Sequence, residues 1–167
     1  MGAFDLQPAG VAETWEHRMD DILIRSATED DIPAIAELQK QWHHEDITWG
    51  LIPDTRERLR EYVHGYCYVA QLQDRLVGFA TAQLLPEARL AALPAGKPWL
   101  ELMDLYVVPS LRSRGIGGRL LESLLDRAKA AGIECFKLWS ATKDVSRIVS
   151  FYERYGFAMV GVQMGAG

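Results

Sequence analysis

The chain has 167 residues, of which 49% are hydrophobic and 25% are charged, and its formal net charge is -5. This composition is typical of a globular domain, and no apolar run approaches the roughly 20 residues that a membrane helix requires. The acidic balance disfavours a nucleic-acid partner, because phosphate neutralisation needs a basic face, and it suits a cationic small molecule. We therefore expect a cytoplasmic domain that binds neither membrane nor nucleic acid.

The first 20 residues mix Gly, Pro and acidic side chains without any period. This pattern predicts a flexible leader at 1–20 and a single domain at 21–167. The leader lacks the basic start and apolar middle of a secretory signal. Cys67 and Cys135 have no C-x-x-C spacing, so we expect neither a disulfide framework nor a metal site.

The first half of the domain alternates between extended and helical patterns. Thr28 with Asp31 forms a capping-box pattern, and the helix after it carries an apolar stripe. The stripe consists of Ile32, Ile35, Leu38 and Trp42. A second, more charged helix is predicted from about Thr55 to Val63. The predicted strands are 22–25, 66–71 and 76–84, the last two forming a hairpin.

The second half predicts a strand, a helix and a strand, followed by another helix and a last strand. A loop at 86–98 precedes them. The predicted elements are a strand at 99–108, a helix through 120–128, a strand at 133–139, a helix at 146–155 and a strand at 157–164. The strands at 99–108 and 133–139 are largely apolar, as expected of strands that are buried on both faces.

The most specific motif is R-S-R-G-I-G-G-R at 112–119, between the strand at 99–108 and the next helix. A helix start offers unpaired N–H groups and a positive dipole end, and glycines allow close approach to an anion. A diphosphate is thus a natural ligand, although the motif does not say whose. It lacks the G-K-[ST] of a P-loop, and Leu120 stands where a dinucleotide fingerprint needs glycine. The alternative is a basic, glycine-rich helix cap.

At this motif the sequence resembles the GNAT superfamily of N-acetyltransferases. In L-Y-V-V-P-S-L-R-S-R-G-I-G-G-R-L-L, Arg112, Gly115 and Gly117 match the family's R/Q-x-x-G-x-G/A coenzyme A signature. F-Y-E-R-Y-G-F at 151–157 is similar to the aromatic helix and G-F turn near the family's C-terminus. The resemblance implies an α/β (α+β) fold, with a mixed, mostly antiparallel sheet, a central parallel splayed strand pair, and helices on both faces.

The same resemblance implies direct acetyl transfer from acetyl-coenzyme A, without a metal, to a primary amine of a small molecule or peptide. It places the backbone of Tyr106, Val107 and Val108 along the pantetheine arm, with the Val107 N–H as the oxyanion donor. Tyr152 would donate a proton to the departing thiolate. The other residues expected at the cofactor are Arg112, Ser113, Arg114, Gly115, Ile116, Gly117, Gly118, Arg119 and Ser146.

The chemistry also requires a base, because an alkyl ammonium, with a pKa of about 10.4, must lose a proton before it can attack. The resemblance offers Glu101 and Asp104 as equal candidates. Strict strand alternation would place the two carboxylates on opposite faces, unless the family's usual bulge lies in this strand. Either one alone could instead be an inert acid at a strand edge.

Two departures from the family keep a second hypothesis open, a non-catalytic acyl-coenzyme A binding or sensor domain. Val145 stands where relatives often have asparagine, and V-Q-M-G-A-G at 162–167 leaves little for the family's last hairpin. The acceptor pocket is therefore expected to be open, or to be completed in a homodimer. An unrelated phosphate-binding regulatory domain is the third hypothesis.

The run His43-His44-Glu45-Asp46 looks like a metal cluster. Adjacent residues at a helix end point in different directions and rarely share one ion. We therefore expect a solvated helix end, which in this region of the fold could also contact substrate.

Overall fold

The computed structural model describes residues 21–86 and 96–161. Within them, five strands form one sheet in the order β1-β2-β3-β4-β5, antiparallel except for the parallel pair β4 and β5. The strands are β1 (Ile22–Ser26), β2 (Tyr66–Leu72), β3 (Arg75–Leu85), β4 (Trp99–Val107) and β5 (Cys135–Leu138). The mixed, mostly antiparallel sheet with its parallel pair is thus confirmed.

Two pairs of helices cover the two faces of this sheet, as expected. The helices are α1 (Ile32–Glu45), α2 (Arg56–His64), α3 (Ile116–Ala130) and α4 (Val145–Glu153), with short 3-10 turns at Glu29–Asp31 and Pro109–Leu111. One buried cluster joins α1 and α2 to the sheet face that carries Phe79. The other joins α3 and α4 to the face that carries Ala80.

The start of α1 follows from its sequence. The N–H of Thr28 donates to Oδ2 of Asp31 at 2.8 Å, as the capping-box pattern predicts. Arg25 of β1 donates to both oxygens of the same carboxylate, at 2.7 and 2.8 Å. The apolar stripe of α1 faces the core with Trp42 partly buried at its end, so α1 is fixed at its N-terminus and along its length.

A bulge in β4 decides where the two candidate bases point. Asp104 pairs with Thr81 and Leu102 pairs with Ala82, so Met103 is one residue more than β3 can match. Glu101 pairs with Gln83, two residues from Thr81. Because residues two apart on β3 share a face, the bulge brings Glu101 and Asp104 to the same face of the sheet. That face is the one covered by α1 and α2.

The parallel strands separate after a short pairing. Residues Trp99 to Leu102 of β4 pair with Cys135 to Leu138 of β5, and β4 then continues to Val107 without β5. The far edge of β4 from 103 to 107 therefore borders an opening between the two strands. We call this opening the cleft; it is the splay that the resemblance implies.

Several predicted boundaries need correction. Helix α3 begins at Ile116, not near Leu120, so Gly117 and Gly118 belong to its first turn. Strand β5 is short and half-buried, not fully buried. No strand forms over 157–161. The predicted leader, most of the 86–98 loop and residues 162–167 lie outside the described residues.

Candidate active site

Asp104 lies at the cleft with its carboxylate held by neutral donors. Its Oδ2 accepts hydrogen bonds from Thr81 Oγ1 at 3.1 Å and from Gln39 Nε2 at 3.0 Å. Burial raises the pKa of Asp104 to about 6, and the charge of Asp54 contributes next. A carboxylate with a pKa near neutrality can both accept and release a proton at physiological pH.

Gln39 connects Asp104 to Asp54. Its side chain is 1% exposed, and its Oε1 accepts the backbone N–H of Asp54 at 2.9 Å. That bond fixes the amide so that Nε2 lies between the two carboxylates, 2.8 Å from Asp54 Oδ2. The sequence interpretation missed both residues. The available signal was a glutamine on the apolar stripe of α1, one residue after Leu38.

Glu101, the other candidate base, is already paired. Its carboxylate lies 3.1 Å from Nζ of Lys137, which is its register partner on β5. Among the described residues, no lysine or arginine pairs with Asp104 in this way. The structure thus brings both acids to one face, but a cation neutralises only Glu101.

The open edge of β4 presents particular backbone groups to the cleft. The N–H of Val108 donates to the carbonyl of Val77 on β3 at 2.9 Å. Because N–H groups alternate in direction along a strand, those of Val108 and Tyr106 face β3 and that of Val107 faces the cleft. Of the three predicted backbone contacts, the Val107 N–H therefore has the orientation that an oxyanion donor requires.

Residues 112–119, which we call the diphosphate loop after the ligand that the sequence predicts, lead into the first turn of α3. Gly115 has φ of 81° as the N-cap residue, a conformation that favours glycine. The N–H of Arg119 is the first to find an acceptor in the helix, the Gly115 carbonyl at 3.0 Å. Within the part of the chain that the structure describes, the amides of residues 115–118 find no acceptor, and they lie at the positive end of the helix dipole. This donor set fits an anion.

The two central glycines of the loop differ in their surroundings. A Cβ on Gly117 would lie 3.8 Å from the nearest atom of the Phe151 ring, whereas one on Gly118 would collide with the hydroxyl of Tyr155. Gly118 is thus required for packing between α3 and the residues after α4. Tyr155 is a packing residue, as expected.

The arginines and the serine of the loop also make contacts within the protein. Arg119 donates from Nη2 to the carbonyl of Ile22 at 2.8 Å, so its side chain and its amide both have partners within the protein. Arg112 is engaged with Val107 and Glu45. Ser113 Oγ lies 3.4 Å from Nη2 of Arg147, a cation of α4 that the sequence interpretation missed.

Tyr152 belongs to the buried cluster that joins α3 and α4 to the sheet, on the face opposite α1 and α2. It is 8% exposed, and its ring packs edge-on against Phe151 and Phe157. Burial raises the pKa of its hydroxyl, and the charge of Asp104 adds to the effect. The hydroxyl therefore stays protonated at neutral pH and has a proton to donate.

The start of α4 contains the position at which the resemblance implies asparagine. Val145 is exposed there. The side chain of Asp144 caps the helix by accepting from the N–H of Arg147 at 3.2 Å, and Ser146 Oγ donates to the same carboxylate. Ser146 thus lies in the first turn of α4, with its hydroxyl bonded to Asp144.

The described residues contain no group of three His, Cys, Asp or Glu side chains arranged to hold a metal ion. In the same part of the chain, every helix is too short or too polar to cross a membrane.

Comparison with known sequences supplies the family. The sequence model of the Acetyltransferase (GNAT) family matches residues 22–157, which include the sheet, all four helices and the loop. This chain belongs to the GNAT acetyltransferase family.

Solved structures of the GNAT fold superpose on this chain. One is AAC(6')-Iy in complex with a bisubstrate analogue, CoA-S-monomethyl-acetylneamine. It superposes with a TM-score of 0.68 at 17% identity, and the match covers 87% of this chain and 97% of that one. A Clostridium acetobutylicum protein solved with acetyl-CoA gives 0.66 at 17% identity, covering 87% and 96%.

Three curated relatives are similar in sequence. An uncharacterized Mycobacterium leprae protein is 30% identical over 86% of this chain and 36% of its own length. An amino-acid acetyltransferase of Mannheimia succiniciproducens is 29% identical over 84% of this chain and 28% of its own length. The chain thus spans about a third of the length of those two relatives. An uncharacterized N-acetyltransferase of Bacillus subtilis, YhfO, is 30% identical over 80% of this chain and 88% of its own length.

Proposed function

We propose that this GNAT chain is an acetyl-coenzyme A dependent N-acetyltransferase in which Asp104 is the base. The observation that supports this most strongly is the environment of Asp104. Asp104 lies on the part of β4 that borders the cleft, and its pKa is raised to about 6. No cation among the described residues neutralises its charge. An acid held in this way is suited to removing a proton from an ammonium group.

Acetyl-coenzyme A, when bound, would supply the thioester carbonyl that the amine attacks. The residues suited to hold it are the free amides of 115–118, with Ser113, Arg114 and Ser146 beside them. The N–H of Val107 is suited to donate to the carbonyl oxygen as negative charge develops there. We assign neither guanidinium of Arg112 and Arg119 to the cofactor, because both side chains already have partners within the protein.

Asp104 lies on the sheet face covered by α1 and α2, and Tyr152 lies in the cluster on the other face. Thr81 and Gln39 both bond to Oδ2 of Asp104, so Oδ1 is left to take the proton from the ammonium, directly or through a water molecule. As the C–S bond breaks, the protonated hydroxyl of Tyr152 would donate to the thiolate, and its phenolate would regain a proton from the nitrogen that has formed the new C–N bond. Base and acid thus act on opposite sides of the reacting carbon, and neither has to change its partner first.

The acceptor proposed is a primary amine of a small cationic molecule or peptide. Asp54 and Asp104 place two acidic groups beside the cleft, and the chain carries a net charge of -5. Both features attract a cation. The cytoplasmic location and the homodimer stay predictions.

The proposal is tested in two stages with the purified chain. First, thermal unfolding is followed with acetyl-coenzyme A, coenzyme A and ATP in parallel, because a ligand of the folded state raises the midpoint. Second, thiol release is measured with a panel of amines for the wild type and for Asp104→Asn. A shift with both coenzyme A species, followed by turnover that needs Asp104, supports the proposal. Binding without turnover favours the sensor domain, and no shift leaves the loop a helix cap.

A further inference from the structure

Glu45, the last residue of α1, is partly buried in an ionic network. It is 17% exposed, although the sequence indicated a solvated helix end. Its Oε1 accepts from the hydroxyl of Tyr106 at 2.6 Å and from Arg112 Nη2 at 3.0 Å, and Oε2 lies 2.7 Å from the same nitrogen. A carboxylate at a helix C-terminus meets the negative end of the dipole, so this residue depends on Arg112 for compensation.

Arg112 extends the network to the backbone of β4. Its Nε donates to the carbonyl of Val107 at 2.8 Å, and its guanidinium lies 5.3 Å from the ring centroid of Tyr106. Arg112 is also the residue from which the diphosphate loop departs after the Pro109–Leu111 turn. One guanidinium therefore fixes the start of the loop against the strand that borders the cleft.

Helix α1 thus contacts both the proposed base, Asp104, and the residue that begins the diphosphate loop, Arg112. Gln39 of α1 fixes the carboxylate of Asp104, and Glu45, six residues later, fixes Arg112. Trp42 lies between them in sequence, and its ring stacks on Tyr106 at 5.5 Å. Because all three contacts come from one rigid element, the loop and the base keep a constant relation before any ligand arrives.

We propose that Glu45 is a positioning residue, which preorganises the cofactor loop through Arg112. The inference rests on the proposed function, because it assumes that the loop binds coenzyme A. A preorganised loop loses less conformational freedom on binding, so it binds its ligand more tightly. Glu45 does not touch the ligand, and its effect is transmitted through the guanidinium.

The test is the affinity of coenzyme A, measured by calorimetry, for Glu45→Gln. This variant keeps the shape and an acceptor for Tyr106 but loses the charge that holds Arg112. We expect the dissociation constant to rise about tenfold. The turnover number at saturating acetyl-coenzyme A should stay close to that of the wild type, because a bound diphosphate orders the loop by itself. The matched control is Glu37→Gln, since Glu37 lies on the same helix and pairs only at the surface with Lys40.

A second comparison isolates the route through Arg112. In an Arg112→Met background, Glu45→Gln should cause no further loss of affinity. An unchanged dissociation constant for Glu45→Gln, an equal loss in both backgrounds, or a loss confined to turnover would each overturn the inference. Should Glu45→Gln fail to fold, Glu45→Asp replaces it with a smaller loss expected, and unchanged affinity is again decisive. If the wild type itself binds no coenzyme A, the proposed function fails as well.

Discussion

Asp54 and Asp104 share one hydrogen-bond donor, the Nε2 atom of Gln39, which lies 2.8 Å from Oδ2 of Asp54 and 3.0 Å from Oδ2 of Asp104. Two carboxylates this close ionise less readily together than either one alone. Asp54 contributes to the raised pKa of Asp104 for this reason, after the larger effect of burial. A loop residue therefore tunes the proposed base without touching it.

The first prediction concerns Asp54→Asn. The base works only when deprotonated, so wild-type kcat/KM should fall as the pH drops through about 6, the value to which the pKa of Asp104 is raised. Removing the charge of Asp54 lowers that pKa, and the variant should retain activity to lower pH. The measurement is the pH profile of kcat/KM, with Asp74→Asn in the distant β2–β3 turn as the control. If kcat/KM falls at the same pH in the variant and in the wild type, the group that titrates in this range is not Asp104.

The second prediction separates the two candidate bases. Asp104→Asn should lower kcat by about 10²- to 10⁴-fold, the usual contribution of a general base. Glu101→Gln should have a smaller effect, because Lys137 already pairs with Glu101 at 3.1 Å. Steady-state kinetics with one saturating amine makes the comparison. The reverse order of the two losses would assign the base to Glu101.

The third prediction concerns stability. The pKa of Asp104 is raised above that of a free aspartate, so its effect on stability is favourable at low pH and is lost as the pH rises through about 6. Asp104→Asn cannot ionise and escapes this loss. Its unfolding midpoint relative to the wild type should therefore increase between about pH 4 and pH 7. If the difference in unfolding midpoint between the variant and the wild type stays constant over this range, burial does not raise the pKa of Asp104.

The sequence predicted most of the fold because the decisive signals are local. The stripe from Ile32 to Trp42 has the period of a helix with one buried face, and the structure buries it. The motif at 112–119 combines glycine and arginine at a helix start, and the structure begins α3 within it, at Ile116. The bulge at Met103 was expected only from the resemblance, since nothing in the residues around it signals an unmatched position.

The candidate site was less predictable because its contacts join distant segments. Gln39 and Asp104 are 65 residues apart, and Glu45 and Arg112 are 67 apart. Neither contact produces a sequence pattern, because the two residues of each pair come from distant segments. Arg112 illustrates the difficulty, because its position in the motif suggested a ligand contact while the structure uses its side chain to hold Glu45 and Val107.

The fourth prediction compares two neighbouring glycines. Gly118→Ala should destabilise the fold by about 1–3 kcal/mol, the usual cost of overpacking, because its Cβ would collide with the Tyr155 hydroxyl. Gly117→Ala has room for its methyl group and replaces glycine in the first turn of a helix, so it should be neutral or stabilising. Urea unfolding of both variants makes the comparison. Equal free energies of unfolding would contradict the packing described for Tyr155.

The last prediction tests Tyr152 as the acid. Tyr152→Phe keeps the ring among Phe151 and Phe157 and removes only the hydroxyl, so coenzyme A affinity should change little. Turnover should fall by about 10²-fold or more, because the thiolate departs without a proton. The decisive comparison uses an acetyl thioester whose thiol has a lower pKa than coenzyme A, since such a thiolate needs less help to leave. The defect of Tyr152→Phe should shrink with that donor, whereas a defect of the same size with both donors would mean that Tyr152 supports packing and donates no proton.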